Sequence, residues 1–194
     1  MKTFDSDAAL VLVDIQNDFC PGGALPVPEG DEIVPIVNQL LPLFHWSVAT
    51  QDWHPPDHCS FRQQGGPWPP HCIQNTPGAE LHSELDASRI SLRIRKGFVK
   101  DREAYSGFDG VNGNGISLND VLRQRGIATL YVAGLATEYC VRSTVLDGLR
   151  LGYKVFVVSD GMRAVDVHPG DGDRALQEMS AAGARLTTST AIAK

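Results

Sequence analysis

Short unbroken apolar runs alternate along the chain with longer stretches of helical spacing. Residues 8–13 are continuously apolar and end on the carboxylate of Asp14, as expected of a strand buried on both faces. Over residues 31–44, Ile33, Ile36, Val37, Leu40, Leu41 and Phe44 recur three or four positions apart, which predicts a helix with one apolar stripe. Further strands are predicted over 47–53, over 89–96, where Ile90, Leu92 and Ile94 alternate with more polar residues, and over 129–134, 153–159 and 184–193. Ser117 opens a helix through Leu122 that stops at Gly126. A helix over 137–151 carries Val141, Val145 and Leu149 on one stripe, and a last helix covers residues near 173–182. Strands alternating with helices in this way predict an α/β protein with a parallel sheet covered on both faces. The stretch 55–85 fits no element. A loop of about thirty residues inside a compact domain is usually functional or disordered, and Pro67, Pro69 and Pro70 stiffen this one.

With 194 residues, 42% of them hydrophobic and 21% charged, the chain is expected to form one globular domain over residues 1–194. The net charge of −6 is scattered without a basic run, which argues against nucleic acid or anionic membrane as partner. No stretch approaches the ~18 apolar residues of a membrane span. The N-terminal seven residues are acidic where a secretory signal would be basic and then apolar, so a cytoplasmic protein is expected. Four widely spaced cysteines, Cys20, Cys59, Cys72 and Cys140, then read as free thiols, metal ligands or a nucleophile. No phosphate-binding glycine loop follows a predicted strand, which leaves a nucleotide site without support.

Chemistry concentrates at one edge. Asp14 ends the first strand, Asp52 and His54 the second and Lys96 the third, while Cys140 follows the fourth; in a parallel sheet all lie at the carboxyl edge, where ligand crevices form. Cys140 sits about three residues into the helix that Thr137 would cap, where free N–H groups and the helix dipole lower a thiol pKa. An inert buried cysteine, a capping Asp14 and a surface Lys96 are the bland alternatives. Asp52 and His54 point the same way on an extended chain, and His71 from the stiff loop would complete a metal site with open positions. The rival is a zinc knuckle of His58, Cys59, His71 and Cys72. Phe19, Trp68 and Tyr105 lie in loops where packing does not require them, and a flat ring could stack there.

The segments Val13-Asp14-Ile15-Gln16-Asn17-Asp18-Phe19-Cys20-Pro21-Gly22-Gly23, Asp52-Trp53-His54, Trp68-Pro69-Pro70-His71-Cys72, Lys96-Gly97, Tyr105-Ser106-Gly107-Phe108 and Gly134-Leu135-Ala136-Thr137-Glu138-Tyr139-Cys140-Val141 together resemble the nicotinamidases (pyrazinamidases), which are isochorismatase-like cysteine hydrolases. The resemblance runs in order from about residue 8 to 165. It implies a doubly wound, six-stranded, mainly parallel sheet in the order 3-2-1-4-5-6 and hydrolysis of nicotinamide to nicotinate and ammonia in NAD salvage, with pyrazinamide as a second substrate. It implies Asp14, Lys96 and Cys140 as catalytic residues and Asp52, His54 and His71 as ligands of one divalent metal ion, Zn²⁺ before Fe²⁺ or Mn²⁺. Ser60 or His58 would be a fourth ligand. Phe19, Trp68 and Tyr105 would bind substrate, the N–H groups of Ala136 and Cys140 would form an oxyanion hole, and the Leu135–Ala136 peptide would be cis. Tyr139 stands where some relatives carry His. The alternatives are a sibling hydrolase of a different small amide and a binding module without activity, and the protein would be a monomer or homo-oligomer.

Overall fold

The apolar runs without helical spacing become strands because their β-branched and aliphatic side chains can be buried on both faces of a sheet. The elements in chain order are β1 (Ala8–Val13), α1 (Ile33–Leu40), β2 (Ser47–Asp52), β3 (Leu92–Lys96), α2 (Leu118–Gln124), β4 (Thr129–Leu135), α3 (Arg142–Arg150), β5 (Lys154–Arg163), α4 (Asp171–Ala181), β6 (Arg185–Thr187) and α5 (Ser189–Ala193). The computed structural model describes residues 4–194, so the first three residues of the acidic N-terminal stretch lie outside the described residues. The strands form one sheet in the order β3-β2-β1-β4-β5-β6, with every pair parallel. The order and the all-parallel pairing match what the resemblance implied.

Alternation along β1 divides the core in two. Leu10 and Leu12 pack with Ile33, Val37 and Leu40 of α1 and Ile192 of α5. Ala9, Val11 and Val13 face the other way, toward Leu118 and Leu122 of α2, Val145 of α3 and Met179 of α4. Both faces are therefore covered, and only the strand ends stay open to carry chemistry.

Several boundaries differ from the sequence expectation. The helix over 31–44 is a short 3-10 turn, then α1, then a second 3-10 turn at Leu41–Leu43, since Pro42 brings no N–H to continue the ladder. β3 begins at Leu92, preceded by a 3-10 turn at Ala87–Arg89. The strand predicted over 184–193 is only β6, followed by α5; Thr188 ends it because its hydroxyl caps the helix by accepting the Ala191 N–H at 3.2 Å. The helix over 137–151 opens with a wide π-turn at Thr137–Val141 before α3, and Ala136 rather than Thr137 is its N-cap. Ser117 does cap α2, accepting the Asp120 N–H at 3.1 Å. The stretch 55–85 consists of 3-10 turns and isolated bridges, among them His54–Ile73 and Phe61–Trp68.

Candidate active site

Parallel pairing brings four strand ends to one edge, and the residues there are buried. After β1 the backbone of Asp14 turns left-handed (φ 48°). Thr50 of β2 holds that turn: its hydroxyl donates to Asp14 Oδ1 at 2.6 Å and accepts the Asp14 N–H at 3.2 Å. Lys96, at the end of β3, is not the surface lysine of the bland reading but is fully buried. Its Nζ donates to Asp52 Oδ1 at 2.5 Å, to the Ala104 carbonyl at 3.2 Å and to Cys140 Sγ at 3.4 Å. Asp14 Oδ2 lies 2.9 Å from the same nitrogen, an ion-pair contact that leaves this oxygen without a directed hydrogen bond. One ammonium thus touches two carboxylates and a thiol.

Burial favours the neutral form of each of these groups, and the neighbouring charges decide the outcome. It opposes the Lys96 ammonium, yet Asp14 and Asp52 hold that pKa well above its ordinary value. It would raise Asp52, but Lys96, followed by His54, brings that carboxyl well below the usual range. For Asp14 burial outweighs the pull of Lys96, and the pKa rises. Burial also pushes the Cys140 thiol well up against the attraction of Lys96. The lowering expected from the helix terminus is overridden, so Cys140 rests as a thiol beside an oxygen able to take its proton.

Next to this group, Asp52, His54 and His71 bring one carboxylate oxygen and two ring nitrogens within 4.8 Å of one another. His54 Nδ1 lies 2.8 Å from the Gly97 carbonyl and His71 Nδ1 lies 2.8 Å from that of Pro69. A carbonyl only accepts, so each Nδ1 carries a hydrogen and each Nε2 is left for the shared point. Gly97 is required there: its φ is 66°, and a Cβ would lie 2.4 Å from His54 Cε1. Burial opposes protonation of His54, but Asp52, 3.6 Å from Nε2, outweighs it and raises the pKa; burial lowers His71. A divalent cation at this point would take the place of the proton His54 shares with Asp52. One carboxylate and two oriented imidazoles, all buried, fit such an ion.

The side chains of His58, Cys59, His71 and Cys72 do not converge into a knuckle: His71 joins Asp52 and His54, and Cys59 and Cys72 stay outside that cluster. His58 stacks on His54 with ring centroids 4.2 Å apart. Its Nδ1 meets Ser60 Oγ at 2.8 Å and its Nε2 the Arg102 carbonyl at 3.1 Å. The two candidates for a fourth position are therefore bonded to each other.

A narrow cleft lined by Phe19, Trp68, Tyr105, Tyr139 and Ala136 is reached by Cys140 of the first group and by Asp52 and His71 of the second. Trp68 Nε1 donates to the Tyr105 hydroxyl at 3.1 Å, and burial pushes that phenol up to about 12. Tyr139 stands edge-on to Trp68 at 5.1 Å; the sequence offers one signal for it, its place beside Cys140 in a helical turn. Val165, from the loop after β5, and Thr50 had no such signal. The Leu135–Ala136 peptide is cis, as the resemblance implied.

The Isochorismatase domain family matches residues 8–191. The chain belongs to this family. Within it the chain falls among the nicotinamidase/pyrazinamidase members. It is 46% identical to the nicotinamidase of Escherichia coli over 93% of this chain and 94% of that protein. The structure of a pyrazinamidase of Pyrococcus horikoshii in complex with zinc is 47% identical, with a TM-score of 0.85 over 94% of this chain and 99% of that one. PnC1 from L. infantum in complex with nicotinate is 39% identical, with a TM-score of 0.90 over 97% and 96% of the two chains. Its similarity to these isochorismatase-family members spans nearly the whole described chain.

Proposed function

We propose that this chain is a nicotinamidase, a cysteine amide hydrolase that converts nicotinamide to nicotinate and ammonia in NAD salvage and accepts pyrazinamide. The observation that carries this reading is the Lys96 ammonium, which joins the buried Asp14 to Cys140 and Asp52, two residues that line an aromatic cleft. Asp52, His54 and His71 would hold one divalent metal ion, Zn²⁺ before Fe²⁺ or Mn²⁺, which when bound supplies a Lewis acid for the ring nitrogen of the substrate. Phe19, Trp68 and Tyr105 flank the ring. Cys140 passes its proton to Asp14 Oδ2 and its sulfur attacks the carboxamide carbon. The N–H groups of Ala136 and Cys140 receive the developing oxyanion, at roughly 3–4 kcal/mol per donor in comparable sites. Asp14 then protonates the departing ammonia, leaving a thioester on Cys140. Water, giving its proton to Asp14, cleaves that thioester to nicotinate, and the proton returns to Cys140. Asp14 is therefore base, acid and base again, and the Lys96 ammonium beside it favours the ionised form that the first role needs, against its burial.

The free thiols support a cytoplasmic setting, and among the described residues no helix is long and apolar enough to cross a membrane. The deciding measurement is ammonia release from nicotinamide set against other small amides. Release is expected to be strongest with nicotinamide and pyrazinamide, to fall on chelation and to return with Zn²⁺; zinc-loaded protein that releases none would refute the reading. His54→Ala is expected to lower bound zinc and raise KM together, because the ion that this imidazole would hold is the one that fixes the substrate ring. The Cys140 thiol of that variant should still be alkylated at the parent's rate. Unchanged zinc content would remove His54 from the metal site.

A further inference from the structure

Asp18, beside the aromatic wall residue Phe19, reaches across 54 positions to the metal-facing loop. Its Oδ2 accepts the Cys72 N–H at 2.7 Å and its Oδ1 accepts the Ala24 N–H at 3.1 Å. Cys72 is fully buried and left-handed (φ 45°), a conformation that needs outside support in a non-glycine residue. The same Cys72 links both imidazoles: it follows His71 directly, and its carbonyl accepts the His54 N–H at 2.9 Å. The fold makes room for this carboxylate, since a Cβ on Gly78 would sit 2.2 Å from Asp18 Oδ2. We propose that Asp18 is a positioning residue: by holding the Cys72 peptide it sets the distance between His54 and His71, and with it the affinity for the metal ion. The inference rests on the reading that Asp52, His54 and His71 hold a metal. It adds that the loop carrying Phe19 and the metal ligands are tied together through one carboxylate.

Zinc affinity of the chelator-stripped full chain, measured by competition with a chromophoric chelator, tests this without reference to turnover. Asp18→Ala is expected to bind zinc about 10–100-fold more weakly, as is typical when a group orienting metal ligands is lost. Asp18→Asn keeps one carbonyl oxygen for the Cys72 N–H, so its zinc affinity should stay within about threefold of the parent. Asn17→Ala is the control: it removes the 2.7 Å bond to the Pro77 carbonyl from the same turn, so it should lower the melting temperature and leave zinc affinity unchanged. If Asp18→Ala does not fold, Gly78→Ala displaces the same carboxylate and should show the same loss. Parent-like zinc affinity in Asp18→Ala, or an equal loss in Asn17→Ala, would overturn the inference and leave the metal site standing. A parent protein that binds no zinc would overturn both.

Discussion

Cys140→Ala is expected to abolish ammonia release, by about 10⁴-fold or more, the scale seen when a nucleophile acting in a concerted unit is deleted. The sulfur is the only group of the cleft whose removal eliminates the covalent step outright, because the other members of the set hold or move protons. Zinc content should not change. Cys140 Sγ faces Lys96 at 3.4 Å, whereas Asp52, His54 and His71 take their positions from β2, Gly97 and Pro69. The fold should tolerate the change as well, since replacing a small buried side chain by Ala costs about 1 kcal/mol per methyl-sized void. Ammonia assay, metal analysis and thermal melting on the same preparation check the three expectations. Cys140→Ser adds a control: the hydroxyl fits the space but is far harder to ionise beside a carboxylate, so activity should stay near that of the Ala variant. Turnover close to the parent's in Cys140→Ala would end the covalent scheme.

Much of this site was legible in the sequence because a parallel sheet turns chain order into spatial order. Once residues 8–13, 47–52, 92–96 and 129–135 are strands of one sheet, Asp14, Asp52, Lys96 and Cys140 arrive at a common edge without further information. Alternation along an extended chain likewise places Asp52 and His54 on the same side. What could not be read depends on contacts between loops. Nothing in the order of residues says that His58 meets Ser60 rather than the cluster, or that the Asp18 carboxylate meets Cys72. The sixth strand stops at Thr187 rather than running over 184–193, because β-branched threonines favour strands and also cap helices; tertiary context lets Thr188 do the second. The thiol of Cys140 shows the same limit in electrostatics. Its helix position predicts an acidic sulfur, but burial beside Asp14 reverses the sign, and burial is a property of the packed chain.

Lys96→Met is expected to inactivate the protein and to destabilise it in a pH-dependent way. Methionine keeps the length and apolar stem of lysine, so the loss is confined to the ammonium. Without it Asp14 and Asp52 face each other in the interior with no cation between them, and breaking a buried ionic cluster of this kind costs about 3–5 kcal/mol, a large share of the ~5–15 kcal/mol that holds a typical domain together. The two carboxylates cannot both stay ionised, and Asp14, already raised by its burial, is the one that takes a proton. Activity then falls for a definite reason: a protonated Asp14 cannot accept the Cys140 proton. A carboxyl whose folded pKa lies above its unfolded value binds more protons in the folded state. Its adverse effect is absent below the unfolded pKa and grows as pH rises through the folded one. The stability gap between Lys96→Met and the parent should therefore be smallest at acid pH, near the unfolded carboxyl pKa of about 4, and widen as pH rises toward neutrality, as followed by denaturant unfolding of the metal-free proteins. Activity should be lost across that whole range, since lowering the pH relieves the repulsion by the same protonation that removes the base. A gap that does not change with pH would mean that Asp14 and Asp52 are not held ionised by Lys96, and retained activity would remove the ammonium from the reaction.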